Sequence, residues 1–266
     1  MRITLLILII SFHTATAQSF SWIKMQEITL PKNTDYWEVD GLGNYYFIEQ
    51  QQIEKFNSQG LASYQMSLKK IGEINKIVHV NALKTIVFSE VQQQVCVLDN
   101  TLTNNGNCIQ MENLNLQNIL LISNSNRPNL VWLYDEYNSG LHLYDYVNNK
   151  IIQSVSNLAR LVGLSTIEQI IEIESVLYVH DEKGKFVLFD LFMNQTISFT
   201  LPIKQVRAWK NNLVGIKGDE LNAFTLKGEE AFTIQLPINS SELVTDGEYF
   251  YFKNQNKINK YQLKIE

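Results

Sequence analysis

Short apolar runs and clusters of polar turn residues alternate along almost the whole chain. From Asp40 the turn Asp-Gly-Leu-Gly-Asn leads into Tyr45–Ile48, glutamines follow, and a second alternating run ends at Asn57-Ser-Gln-Gly60. Runs of four to six β-branched and aromatic residues bounded in this way predict short strands. Two runs joined by a short polar turn predict a hairpin. Such hairpins begin at Asn44, Lys84, Asn129, Ser175, Asn211 and Glu248, at spacings of 36 to 46 residues.

Each hairpin is preceded by a further apolar run: YWEVD from Tyr36, INKIVHV from Ile74, NILLIS from Asn118, EQIIEI from Glu168, QVRAW from Gln205 and ELVTD from Glu242. A fourth run follows most of them: LASYQMSL, CIQMENL, IIQSVSNL, TISFTLPI and AFTIQLPI. Four short antiparallel strands per unit, at a period near 40, predict the blades of a β-propeller. The fold class expected is therefore all-β, with six blades. Only LARLVGLSTIEQ, near Leu158, leaves room for a turn of helix.

The sixth unit ends at KINKYQLKIE without a fourth strand. Its counterpart stands near the other terminus. WIKMQEITLPK, Trp22 to Lys32, shares with ISFTLPIK and FTIQLPIN the Leu-Pro that follows the strand. An N-terminal strand pairing near Lys257–Leu263 would close the ring and protect both edges.

The segment VDGLGNYYFIEQQQIEKFNSQG, Val39 to Gly60, resembles the repeats of NHL-type and YncE-like six-bladed propellers. Those read Asp-x-x-Gly-Asn, an aromatic strand, then a strand ending in Phe-Asp-x-x-Gly. Only the first unit carries the pattern clearly, with Asn57 in the place of the second Asp; the others have lost the Asp-Gly-Asn turn. The resemblance implies architecture, in an exported bacterial propeller protein, and assigns no chemistry.

The first residues change the picture of location. Arg2 precedes an apolar run from Ile3 to about Phe12, and Ala15-Thr16-Ala17 supplies small-x-small. That layout predicts a signal peptide over residues 1–17, cleaved between Ala17 and Gln18, with one propeller domain over 18–266. A run of about ten apolar residues is half the length needed to span a bilayer. The mature chain is then expected in the periplasm or outside the cell, with no transmembrane segment. Its abundant Asn, Gln, Ile and Lys point to an AT-rich bacterial genome.

Cleavage leaves 21 Lys and Arg against 27 Asp and Glu, a net charge of −6. A mildly acidic surface argues against nucleic acid as a partner. Cys96 and Cys108 flank VLDNTLTNNGN. With strands at Val95–Leu98 and 107–110 and a turn near Leu102, they face each other, and an oxidising compartment favours a disulfide. Two unbonded half-buried thiols are the alternative. No Cys or His spacing marks a metal site, and no motif marks a cofactor. His79, His142 and His180 each fall inside a strand run, where a packing role is expected.

Between second and third strands stand Glu49, Glu90, Asp135 with Glu136, Asp181 with Glu182, and Asp219 with Glu220. Lys253 breaks the series in the last blade. These turns share a face with the connections between blades, so an acidic rim is expected there. It is either a solvated edge or a steering surface for a basic partner. Nearer the axis, Tyr36, Trp37, Lys70 (beside Lys69), Arg160, Lys204 and Arg207 are candidates to bind a small anionic or sugar-like ligand.

Two functional classes follow. The first is a non-catalytic scaffold that binds another envelope protein or a ligand, by analogy with the propeller subunit of outer-membrane protein assembly. The second is a lactonase- or esterase-like hydrolase with a divalent metal at the channel. That would need several carboxylates converging from inner-strand starts, where only Glu38, Asp40 and Glu168 are near.

Overall fold

The computed structural model describes residues 19–265, apart from 105 and 107. The predicted signal peptide lies outside the described residues. Twenty-four strands form six four-stranded antiparallel sheets. Blade 6 supplies β1, Phe20–Thr29. Blade 1 holds β2 (Tyr36–Val39), β3 (Tyr45–Glu49), β4 (Gln52–Phe56) and β5 (Ala62–Ser67). Blade 2 holds β6 (Lys76–Asn81), β7 (Lys84–Ser89), β8 (Gln94–Asp99) and β9 (Ile109–Gln110). Blade 3 holds β10 (Ile119–Asn124), β11 (Leu130–Asp135), β12 (Gly140–Asp145) and β13 (Lys150–Val155). Blade 4 holds β14 (Ile167–Ile173), β15 (Val176–Asp181), β16 (Lys185–Phe189) and β17 (Gln195–Thr200). Blade 5 holds β18 (Lys204–Trp209), β19 (Asn212–Lys217), β20 (Glu220–Thr225) and β21 (Glu230–Gln235). Blade 6 adds β22 (Leu243–Thr245), β23 (Phe250–Asn254) and β24 (Lys257–Ile265). A short helix, α1, spans Leu158–Val162, where the sequence allowed one.

The predicted closure is present. β1 pairs antiparallel with β24, from Phe20 opposite Ile265 to Thr29 opposite Lys257. Buried side chains form one apolar cluster at each junction between neighbouring blades. Tyr46, Ile48 and Ile53 of blade 1 meet Ile77, Val87 and Leu98 of blade 2. At the last junction Trp37, Tyr45 and Phe47 meet Val244, Tyr251 and Ile258. Every sheet therefore buries both faces against neighbours, which explains second strands as continuously apolar as LVWLYD.

One turn device recurs around the ring. A side-chain oxygen at position i accepts the backbone N–H groups of i+2 and i+4, as at Asp40, Asn57, Asp99, Asp181 and Asp190. The residue at i+3 is left-handed: Gly43, Gly60, Leu102, Gly184 and Met193. This is the physical content of the Phe-Asp-x-x-Gly signature. Gly184 is the tightest case, because a Cβ there would stand 2.4 Å from the carbonyl oxygen of Leu201.

Blade 2 departs from expectation. Its fourth strand is only Ile109–Gln110 and leaves out Cys108, with residue 107 outside the described residues, and the chain turns at once into a 3-10 helix over Met111–Leu114. The reason is apolar: Met111 and Leu116 turn in to pack with Ile119 and Ile122 of blade 3. The Cys96–Cys108 disulfide is formed and fastens this segment to β8.

Candidate functional site: a charged collar in the central channel

The six inner strands β2, β6, β10, β14, β18 and β22 enclose a channel. Its inner chamber has a volume of about 600 Å³ and its mouth about 320 Å³. Lys76, Glu168, Gln169 and Arg207 line both, so they form the collar between the two.

Tyr36 and Glu38 stand two residues apart on β2 and so share a side of the strand. The Tyr36 hydroxyl donates to Glu38 Oε2 at 2.5 Å. Arg207, reaching over from β18, puts Nη2 3.5 Å from the same oxygen and donates its Nε–H to the Leu243 carbonyl at 3.1 Å. Lys76, from β6, donates to the Tyr36 hydroxyl at 3.2 Å and lies 5.3 Å from the centre of its ring. Three blades thus meet over one carboxylate.

Burial would raise the Glu38 pKa, but the charges of Arg207 and Lys76 and the Tyr36 hydroxyl outweigh it, and Glu38 is held below its ordinary value. Burial moves the two neutralisable donors the other way. It pushes Tyr36 well above its usual range, helped by the Glu38 charge, and it lowers Lys76 against the pull of Glu38.

Two histidines back the collar. His79 lines the inner chamber, sets its ring centre 4.3 Å from that of Tyr46 at a tilt of 46° and bonds Thr85 through Nδ1; its Nε2 is buried with no partner among the described residues. Burial depresses its pKa to about 4, although Glu38 and Asp40 pull upward. His180 sets Nε2 3.1 Å from Gln169 Oε1, and Gln169 donates to the Val206 carbonyl, tying blade 4 to blade 5 at the collar.

Of the sequence candidates, Tyr36 and Arg207 meet through Glu38. Trp37 also lines the mouth, from within its wall, and Lys70, Arg160 and Lys204 do not join them. Trp37 is 3% exposed and gives its indole N–H to Glu242 at 2.7 Å, because alternate positions on β2 face the blade 6 junction. Lys70, Arg160 and Lys204 are exposed and line neither chamber. Asp40 sits at the far end of β2, not its start, where its carboxylate caps the turn and accepts the Tyr46 hydroxyl.

The expected rim needs correction as well. Backbone N–H groups of Gln50, Glu90, Glu136 and Glu182 bond to residues just before the inner strands, so these turns do edge the mouth. Asp135 and Asp181, however, are 0% and 2% exposed. Asp181 accepts N–H groups from Lys183, Lys185 and Ser165. Asp135 accepts from Tyr137 and Asn138. Their carboxylates build turns, and in those blades the exposed charge is that of Glu136 and Glu182. Glu49 is half-buried, while Glu90 and Asp219 are exposed. Lys253 is paired with Glu242 at 2.7 Å.

Lys76 and Gln169 were missed by motif reasoning. Their signal was a polar residue inside an otherwise apolar inner-strand run: Lys76 in INKIVHV and Gln169 in EQIIEI, as Glu38 stands in YWEVD and Arg207 in QVRAW. Among the described residues no three His, Cys, Asp or Glu side chains lie close enough to hold a metal ion. No helix among them is long and apolar enough to cross a membrane.

No protein-family model matches the chain, and no curated protein does. Solved structures share the fold at low identity. Streptogramin B lyase is similar at 12% identity and a TM-score of 0.59, over 93% of this chain and 98% of that one. BBS1N, in a complex with ARL6DN, is similar at 10% identity and 0.59, over 85% of this chain and 77% of that one. BamB from Moraxella catarrhalis gives 11% identity and 0.48, over 93% and 98%. The fold is a six-bladed β-propeller.

Proposed function

We propose that this protein is a non-catalytic binding scaffold of the bacterial cell envelope, exported to the periplasm or beyond, whose binding centre is the channel mouth. The observation that carries the reading is the collar. Lys76, Arg207, Tyr36 and Glu38, from three blades, converge inside a cavity of ligand size. Charged side chains are costly to enclose, and a rigid ring holds them there at fixed positions. The fold itself chooses no function: its neighbours include a lyase and a propeller caught in a protein complex. The disulfide fits an oxidising compartment, and the first-unit motif fits NHL- and YncE-like exported propellers. The hydrolase alternative wants several converging carboxylates, and the collar instead mixes two cations with buried Glu38 and exposed Glu168.

Native mass spectrometry tests the reading. The protein is mixed with the small-molecule fraction of a bacterial periplasmic extract, alongside an Ala208→Trp variant whose side chain fills the inner chamber. A bound mass retained by the parent and lost by the variant is expected. Equal retention by both would place binding elsewhere.

A further inference from the structure

The collar contains a cation with no carboxylate of its own. Lys24, Arg207, Lys253 and Lys257 each have a carboxylate oxygen within 4.0 Å, yet among the described residues Lys76 has none. Its contacts are a neutral phenol oxygen and the face of the same ring. Glu38 accepts instead from Tyr36 and Arg207. An ammonium set into protein with no carboxylate in direct contact is costly, even with Glu38 acting on it from beyond Tyr36. Burial accordingly holds its pKa below the usual lysine range. Arg207 commits Nε to Leu243 and Nη2 to Glu38, which leaves the rest of its donor fork unassigned. Two cations with spare donors therefore face the same constriction.

Below the collar the chamber wall alternates apolar positions, Leu121, Ile171 and Ala208, with polar ones, His79, Ser123 and Asn124. Around these cations, Asp35 lines the mouth, Glu168 belongs to the collar itself and Glu90 lines the inner chamber, and among the described residues none of the three forms an ion pair with Lys76 or Arg207 within 4.0 Å. These acids penalise an incoming group of high negative charge, while the spare donors of Lys76 and Arg207 favour a single one.

We infer that the channel takes a small organic monoanion, its carboxylate held by Lys76 and Arg207 and its apolar body seated in the inner chamber. This rests on the channel being the binding centre. A carboxylate there completes the charge around Lys76 and matches the planar fork of Arg207. The acids at the mouth set selectivity by disfavouring phosphate and dicarboxylates.

Isothermal titration with three probes tests the inference: phenylacetate, its neutral isostere phenylacetamide, and inorganic phosphate. Phenylacetate should bind at least tenfold more tightly than either of the others. In Lys76→Met, checked for an intact fold by its melting curve, the preference for carboxylate over amide should shrink to less than threefold. In Glu168→Gln phosphate binding should strengthen. Equal binding of phenylacetate and phenylacetamide, unchanged in Lys76→Met, would overturn the anion while leaving the channel as a binding centre. Binding of none of the three would overturn the anion too, with the channel itself judged by the Ala208→Trp comparison. Tighter binding of phosphate than of phenylacetate would overturn the monoanion selectivity.

Discussion

The indole N–H of Trp22 donates to the backbone carbonyl of Gln235 at 2.8 Å, across 213 positions of chain. It ties the closing strand of blade 6 to the last residue of blade 5. The same indole packs edge-on against Phe250 and Phe252 of its own blade. Ring closure thus rests on this hydrogen bond between blades and on aromatic packing within blade 6, as well as on the ladder between β1 and β24.

Trp22→Ala should cost about 3 kcal/mol, the usual order for removing a large packed aromatic. A chain beginning at Pro31 should melt far below the full one in a calorimetric scan. A truncated protein with an unchanged melting temperature would mean the ring closes without β1.

The closing strand was legible because Leu-Pro follows both it and two other fourth strands. The repeat was legible because the strands are short and most turns carry Gly, Asn or Asp. What the pattern could not give was side-chain direction at strand ends. Asp135 and Asp181 look from sequence like any exposed turn acid, and only the N–H groups around them reveal that they face inward. Trp37 and Glu38 are neighbours in sequence, yet one belongs to a blade junction and the other to the channel. The collar stayed hidden for a related reason: its members come from blades 1, 2, 4 and 5, and no spacing along the chain encodes that meeting.

The two acids of one turn should behave in opposite ways. Burial would raise the Asp181 pKa, but hydrogen bonds from Ser165, Lys185 and Lys183 outweigh it and hold the carboxyl low. Asp181→Asn should lower stability by about 2 kcal/mol in urea unfolding, because a charged acceptor of several N–H groups is weakened. Glu182→Lys, on the exposed neighbour, should stay within about 0.5 kcal/mol. Equal effects would show that Asp181 does not build the turn.

The Cys96–Cys108 bridge closes a loop with a sequence separation of 12. On the chain-entropy model such a loop contributes about 3 kcal/mol. The double variant Cys96→Ser/Cys108→Ser should lose about that much. Alkylation of the protein isolated without reductant should modify neither cysteine, and two labelled thiols would contradict the bridge.

Acid should weaken the fold before its carboxylates titrate. Burial lowers the pKa of His79, His142 and His180, to about 4 for His79. A histidine whose folded pKa lies below its unfolded value stabilises fully above about pH 6.5 and less as pH falls, since the unfolded chain binds protons first. The groups acting on His79 are Glu38 and Asp40, which raise its pKa, and Lys55 and Lys76, which lower it. The His79 share of the loss should reach about 2 kcal/mol by pH 5. His79→Gln should flatten the fall in melting temperature between pH 7.5 and 5, and an identical slope would contradict it.

Hydrogen exchange tests the channel as the binding centre most directly. The protein is compared with and without the small-molecule fraction of a bacterial periplasmic extract. Added protection should concentrate at the starts of the inner strands, in residues 35–38, 75–79, 167–171 and 204–208. Protection confined to the rim turns around Glu49, Glu90, Glu136, Glu182 and Asp219, with none at the collar, would contradict the account.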